Sequence, residues 1–271
     1  GDGRVKARRK KSAEGRRGLS ERRQVVIREL VRGTYEDPRV VARYVDIGLW
    51  PAEEILVLEY FPDGSRVLDV GCGAGRTSIP LAEQGFEVVG IDLSQTMVTV
   101  ARQQAELAGV EIDFQTMDAT DLQFPPASFD VVLFSYNGVE LLPGRTGKIR
   151  ALEEFGRVLK EEGIFLFTSH SPFALNQYAP YRLANFVKFL TGRLLRLPIK
   201  ERELGERFID DEGEEVKYLQ ILPPSVLMRM LEECGFEMAL FNTRQRIEKG
   251  QKYGWKGIFE DGERFYVARK K

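Results

Sequence analysis

A chain of 271 residues can bury a sizeable core, and its length fits one large α/β domain with additions better than two independent domains. Hydrophobic residues make up 43% and charged residues 30%, the balance of a globular protein and not of a disordered or fibrous one. The net charge of -1 hides an asymmetry: residues 1–17 carry eight Lys or Arg against two acids, and residues 201–215 carry eight Asp or Glu against two Arg. A solvated tail and a solvated acidic turn account for both blocks. The sharper alternative is a tail that touches an anionic partner such as RNA or a membrane surface. Cys72 and Cys234 lie far apart and imply no disulfide framework, and the basic N-terminal block is not followed by the apolar run of a secretory signal. The apolar runs are too short to cross a bilayer. A cytoplasmic protein is expected.

In chain order, residues 1–20 read as a disordered basic tail. Val25, Val26 and Leu30 mark an amphipathic helix from Glu21 to Arg32, Asp37-Pro38 opens a second helix, and Trp50-Pro51 a third that runs to about Tyr60. From Arg66 onward strands and helices alternate, as in a parallel sheet. The strands are expected at 66–70, 87–91, 112–116, 129–134 and 163–168, with helices at 77–84, 95–108 and 148–159. Most of these strands are nearly continuous apolar runs, the pattern of strands covered on both faces.

The alternation breaks at Ser171. Residues 171–205 are rich in aromatic and basic side chains and predict one or two helices, and 206–221 predict a hairpin turning at Asp211-Glu212-Gly213. A helix from Pro223-Pro224-Ser225 to Glu233 is stopped by Gly235. Residues 236–242 and 265–269 then predict an antiparallel pair of closing strands joined by a long polar loop. The expected organisation is a tail (1–20), N-terminal helices with a core (21–170), an insertion (171–221), and a closing helix and strands (222–271).

The chain is organised around Val67 to Arg76, a buried strand that breaks into a glycine-rich turn and then a helix. Gly71, Gly73 and Gly75 remove side chains where the backbone turns tightly and where a ligand can lie against it. The spacing is not that of a dinucleotide fingerprint. Asp69, ahead of the first glycine, is also a poor neighbour for a pyrophosphate and a good one for a cation. Asp92 ends the second strand, where an acid can accept from a ribose diol, and Asp118 follows the third, where it can accept from an adenine amino group. One ligand satisfies all three carboxylates, a nucleoside with a positively charged tail.

The stretch Val67 to Gly75, followed by Gly90-Ile-Asp-Leu-Ser94, Asp118-Ala119 and Phe129 to Phe134, resembles the class I S-adenosylmethionine-dependent methyltransferases, most of all their small-molecule branch of type 11 or 12 domains. The resemblance covers about residues 35–170. It implies a Rossmann-like three-layer sandwich whose seven-stranded, mostly parallel sheet has its last strand antiparallel, with an inserted substrate lid. It implies S-adenosylmethionine as cofactor. Carried over to this chain, Asp69, Gly71 and Gly73, with Cys72 in the same turn, form the floor under the methionine part. By the same resemblance Asp92 binds the ribose, Leu93 and Met97 pack on adenine, and Asp118 with the Ala119 amide reads the adenine edge. Core packing is the plainer alternative for Leu93 and Met97. Tyr35 is expected as a lid residue over the cofactor, with Tyr44 in the same segment, and Ser135 joins the cofactor contacts.

Methyl transfer from a sulfonium is an in-line displacement, so the protein aligns the nucleophile, excludes water and, for a hydroxyl or thiol, removes a proton. Tyr136 and Asn137, after the fourth strand, are expected to orient the acceptor or touch the cofactor. His170, the single histidine, follows the fifth strand and is the candidate general base, with a structural role as the alternative. One histidine and two separated cysteines offer no ligand cluster, so no metal site is expected. The function expected first is methylation of O or N of a small molecule by a monomer or homodimer. Two alternatives stand beside it. One is an RNA or protein acceptor held by the basic tail with Lys188, Arg193 and Arg196; the other is a regulatory protein that binds the cofactor without transferring from it.

Overall fold

The computed structural model describes residues 20–209 and 217–271, so the basic tail and the Asp211-Glu212-Gly213 turn lie outside the described residues. Three helices precede the sheet: α1 over residues 20–36, α2 at Pro38–Val41 and α3 at Pro51–Tyr60. Asp37 caps α2 by accepting from the Arg39 amide at 2.9 Å, and Pro38 takes the first helical position, where no amide donor is needed. Glu53 reaches back from the first turn of α3 to accept from the Trp50 amide at 2.7 Å.

The core alternates β1 (Arg66–Val70), α4 (Ser78–Glu83), β2 (Glu87–Asp92), α5 (Gln95–Ala108), β3 (Asp113–Thr116), β4 (Phe129–Phe134), α6 (Gly144–Val158) and β5 (Leu159–Ser169). An excursion follows with α7 (Ala179–Leu194) and a small antiparallel pair, β6 (Glu206–Phe208) and β7 (Tyr218–Gln220). α8 (Pro224–Glu233), β8 (Phe236–Thr243), α9 (Arg244–Glu248) and β9 (Arg264–Lys270) close the chain.

Seven strands form one sheet in the order β3-β2-β1-β4-β5-β9-β8, and β9 runs antiparallel to both of its neighbours. The sheet is the middle of three layers. Leu68, Val132, Phe165 and Tyr266 point to one face, where Phe155 of α6 and Leu231 of α8 cover them. Val67, Val131, Leu166 and Val267 point to the other, against Leu56 of α3, Leu81 of α4 and Ile247 of α9. Neighbouring residues along a strand thus serve opposite cores, which is why these strands read as unbroken apolar runs.

Element boundaries differ from the sequence reading where glycine or irregular pairing intervenes. α6 starts at Gly144 and not near Lys148, because Gly144 and Gly147 conceal its first turn from propensity. β5 starts at Leu159, which pairs with Phe129 before a shift in register. The aromatic and basic stretch forms one helix, α7. The loop between the closing strands contains α9 and a 3₁₀ turn at Trp255–Ile258.

The strand order reverses between β1 and β4, so the connections leaving these two strands go to opposite sides and open a crevice at their carboxyl ends. Close packing beside that crevice leaves no room at Gly90, where a Cβ would come within 2.5 Å of the Phe114 ring. Gly90→Ala is therefore expected to cost about 1–3 kcal/mol of stability by overpacking. Urea denaturation reads this directly, and an unchanged midpoint would show that Phe114 yields freely.

Candidate active site

The crevice contains a cavity whose floor is the turn after β1 and whose walls come from the ends of β2, β3 and β4. Eleven residues expected at the cofactor lie on its wall: Tyr35, Asp69, Gly71, Cys72, Gly73 and Asp92 from the first half, then Leu93, Met97, Asp118, Ala119 and Ser135. Tyr136 lines it too, whereas Asn137 and His170 do not.

The carboxylates are held in different ways. Asp69 is buried and accepts from the hydroxyls of Thr77 at 2.6 Å and Ser78 at 2.5 Å. Asp92 accepts from the amides of Gly73 at 2.9 Å and Ser94 at 2.9 Å, which ties the end of β2 to the turn after β1. Burial pushes both carboxyls up to about 6, against the opposing pull of these donors. Asp118 is more open. It forms an ion pair with Arg28 Nε at 2.5 Å and accepts from the Thr120 amide at 2.8 Å. Gly73 adopts φ +53°, and a Cβ there would meet no atom within 4 Å, so the missing side chain leaves open space at the floor.

α1 forms a roof. Arg28, Val31 and Tyr35 reach the cavity, and the C-terminal end of the helix is fastened beside the end of β2. There the Ser94 hydroxyl donates to the Tyr35 carbonyl at 2.9 Å, and the Gln95 amide donates to Glu36 at 2.8 Å. Leu93 packs with Ile27 and Val31 of α1, and Met97 with Val41 and Ala74, so both serve a small core as well as the cavity wall. The rings of Tyr35 and Tyr44 meet edge-on at 5.6 Å, and those of Tyr44 and Tyr136 at 5.7 Å.

Arg76, Glu53 and Trp50 did not stand out in the sequence. Arg76 lines the cavity, pairs with buried Glu53 at 2.7 Å, and lies over the rings of Trp50 at 4.7 Å and Tyr136 at 5.4 Å. The Ser135 hydroxyl is engaged in the same group, donating to Glu53 and accepting from Arg76 at 3.1 Å. The only signal was the charge of Arg76 directly after the last glycine of the turn. Tyr136 and Asn137 both adopt left-handed backbone, at φ 54° and 62°, a strained arrangement for two successive residues with side chains. The Asn137 amide donates to Thr168 Oγ1 at 2.9 Å, and its Oδ1 is buried without a partner.

His170 is fastened to a neighbouring element instead of lining the cavity, and 42% of its side chain is exposed. Its Nδ1 is 3.1 Å from Oε1 of Glu140, a buried acid that also accepts from the Ser169 hydroxyl at 3.0 Å. Partial burial works to lower the imidazole pKa, but the hydrogen bond and charge of Glu140 outweigh it and the net shift is upward. Glu140 belongs to the 3₁₀ turn Gly138–Leu141, two residues of which, Gly138 and Leu141, line the cavity. Among the described residues no group of three or more His, Cys, Asp or Glu is placed to hold a metal ion.

A family described as Methyltransferase domain matches residues 67–163, from β1 into β5. Aklanonic acid methyltransferase DauC of Streptomyces sp. (strain C5) is 41% identical over 183 residues, which cover 64% of this chain and 75% of that protein. The chain belongs to the S-adenosylmethionine-dependent methyltransferases. Putative methyltransferase YqeM of Bacillus subtilis is 38% identical over 119 residues, 44% of this chain, and the chain spans about half of that relative, 48% of its length. A solved S-adenosylmethionine-dependent methyltransferase from Methanosarcina mazei shares the fold at a TM-score of 0.63 and 22% identity, covering 83% of this chain and 99% of that one.

S-adenosylmethionine is the methyltransferase's cofactor, and the cavity suits it chemically. Acids at three strand ends, an open floor at Gly73 and apolar walls from Leu93, Met97 and Met117 match a cationic nucleoside. The raised carboxyls of Asp69 and Asp92 must ionise to favour a cation. As pH falls through about 6 they take up protons, and the attraction is lost. Affinity for S-adenosylmethionine is thus expected to fall by on the order of tenfold between pH 7.5 and pH 5, a larger loss than that for the uncharged thioether S-adenosylhomocysteine. Calorimetry at the two pH values checks this. Parallel losses for both compounds would show that the sulfonium charge plays no part.

Proposed function

We propose that this chain transfers a methyl group from S-adenosylmethionine to O or N of a small-molecule acceptor by in-line displacement. The observation that carries the proposal is the meeting of Asp69, Asp92 and Asp118 with the open glycine turn around one cavity at the point where the strand order reverses. A small acceptor is supported by the relative named as an aklanonic acid methyltransferase, three-quarters of which this chain covers.

In this proposal Asp69, Gly71, Cys72 and Gly73 cradle the methionine part. Asp92, already fixed by two amides, turns its remaining lone pairs to the ribose diol. Leu93 and Met97 sandwich the adenine, whose edge meets Asp118 and the Ala119 amide, with Arg28 holding the Asp118 carboxylate in place. Tyr35 covers the site from α1 and excludes water. The cofactor supplies an electrophilic methyl group, which leaves the protein to align the acceptor and manage its proton.

Tyr136 and Asn137 serve as the aligning residues, on the strained turn after β4 and next to the Ser135–Glu53–Arg76 group. His170 is the proposed general base for a hydroxyl acceptor. With its Nδ1 proton donated to Glu140, Nε2 is left as the basic nitrogen, the arrangement of an oriented imidazole base. The excursion over residues 171–221 is proposed to shape the acceptor pocket. The free thiols of Cys72 and Cys234 suit a reducing, cytoplasmic compartment.

Two variants test these roles separately. Asp92→Ala is expected to weaken S-adenosylmethionine binding more than about tenfold with the protein still folded, the loss of charge-assisted hydrogen bonds to the diol; unchanged affinity would remove the ribose assignment. His170→Ala is expected to lower kcat by roughly 10²–10⁴-fold while cofactor affinity holds. Because Glu140 raises the imidazole pKa, Glu140→Gln should move the acid limb of the rate profile to lower pH. An acid limb that stays in place in that variant would assign the titration to another group.

A further inference from the structure

Helix α7 is amphipathic, and its apolar side faces outward. Leu183, Val187, Leu190 and Leu194 follow the spacing of one helical face, and Leu183 is 64%, Leu190 49% and Leu194 82% exposed. The side turned toward the protein carries Arg182, Asn185 and Gly192, with Phe189 as its one large apolar side chain. Asn185 donates to the Glu206 carbonyl at 2.8 Å, and a Cβ on buried Gly192 would come within 2.5 Å of Ile199. A helix that only covered a core would place its leucines on that inner side.

Charge on α7 and the residues just flanking it is of one sign, up to the acid-rich run that begins at Glu201. Residues 171–200 contain Arg182, Lys188, Arg193, Arg196 and Lys200 and no Asp or Glu. On a helical wheel Lys188 and Arg193 fall on opposite flanks of the leucine face. Glu201, next in the chain, is paired with Lys188 at 2.8 Å.

A second element extends the same surface. The segment 249–259 interleaves Lys249, Lys252 and Lys256 with Tyr253 and Trp255, and Trp255 is 71% exposed. It is joined to the run leading into α7, where the Leu175 amide donates to the Phe259 carbonyl at 2.9 Å and Asn176 donates to Asp261 at 2.5 Å. The acids bordering this segment are engaged as well, Glu260 with Arg246 at 2.7 Å and Asp261 with Asn176.

We propose that α7 and the 249–259 segment form a docking surface for an anionic phospholipid membrane. The helix lies in the plane of the interface, its leucines among the acyl chains, its Lys and Arg at the phosphates, and Trp255 at headgroup level. Among the described residues no helix is long and apolar enough to cross a membrane, so the contact is with one leaflet. Charge decides against the other occupants. RNA would meet the cations but leave four large apolar side chains in water, and a second copy of this face would cover the leucines while opposing like charges across a two-fold axis.

Flotation of the full chain with phosphatidylcholine vesicles, with and without phosphatidylglycerol, tests the proposal. Binding to the anionic vesicles is expected to exceed binding to the neutral ones by more than about tenfold at low salt and to weaken as salt rises. The combined substitution Leu183→Glu, Leu190→Glu and Leu194→Glu should abolish it without changing the melting temperature or S-adenosylmethionine affinity, so the outcome is separate from that of the methyl-transfer proposal. No binding to anionic vesicles at low salt, binding that survives the triple substitution, or a dimer or an RNA complex that the same substitution dissolves would each overturn it.

Discussion

The structure depends on one electrostatic constraint, the placing of three carboxylates at the ends of three neighbouring strands beside an apolar wall. Two of them, Asp69 and Asp92, are desolvated enough to rise to about 6. A fold tolerates such groups only where each is supplied with donors. The hydroxyls of Thr77 and Ser78 supply Asp69, and the parallel register carries β2 to Asp92, within reach of the turn after β1. The bond from the Gly73 amide to Asp92 therefore binds two strand ends and shapes the turn at once. The acid is part of the scaffold as well as of the cavity wall.

The rest of the site distributes compensating charge around that centre. Arg28 enters from α1 and meets Asp118; Arg76 enters from the turn and meets Glu53 between two aromatic rings. Both cations are held by acids and do not point freely into the cavity, so the local field stays favourable to a cationic ligand. The aromatic contacts from Tyr35 through Tyr44 to Tyr136 connect the roof to the strained turn after β4.

What could be read from the chain follows physical lines. β1, β2 and β4 were legible because burial on both faces writes itself as an apolar run; Asp92 stood out where such a run ends, Asp69 as an acid inside one just before the glycines, and Asp118 just past the short β3. The start of α6 was not legible, since Gly144 and Gly147 are weak helix formers held there by tertiary contacts. Nor were the partnerships of Arg28 with Asp118 and of Glu140 with His170, which are made by the meeting of elements distant in sequence. In α7 the aromatic and basic composition announced a helix but carried no information on which side the protein would occupy.

The placement of His170 bears on the acceptor more than on the cofactor. Glu140 stands on the 3₁₀ turn that also supplies Gly138 and Leu141 to the cavity, so the imidazole is fastened to an element of the wall without lining the cavity itself. Just before that 3₁₀ element, the turn Ser135–Gly138 leads out of β4. The same turn carries the two strained residues and the unpaired Oδ1 of Asn137, a polar atom that the fold itself leaves without a donor. Under the proposed function an amine that arrives neutral would need no base, whereas a hydroxyl would draw on the Glu140–His170 pair as well.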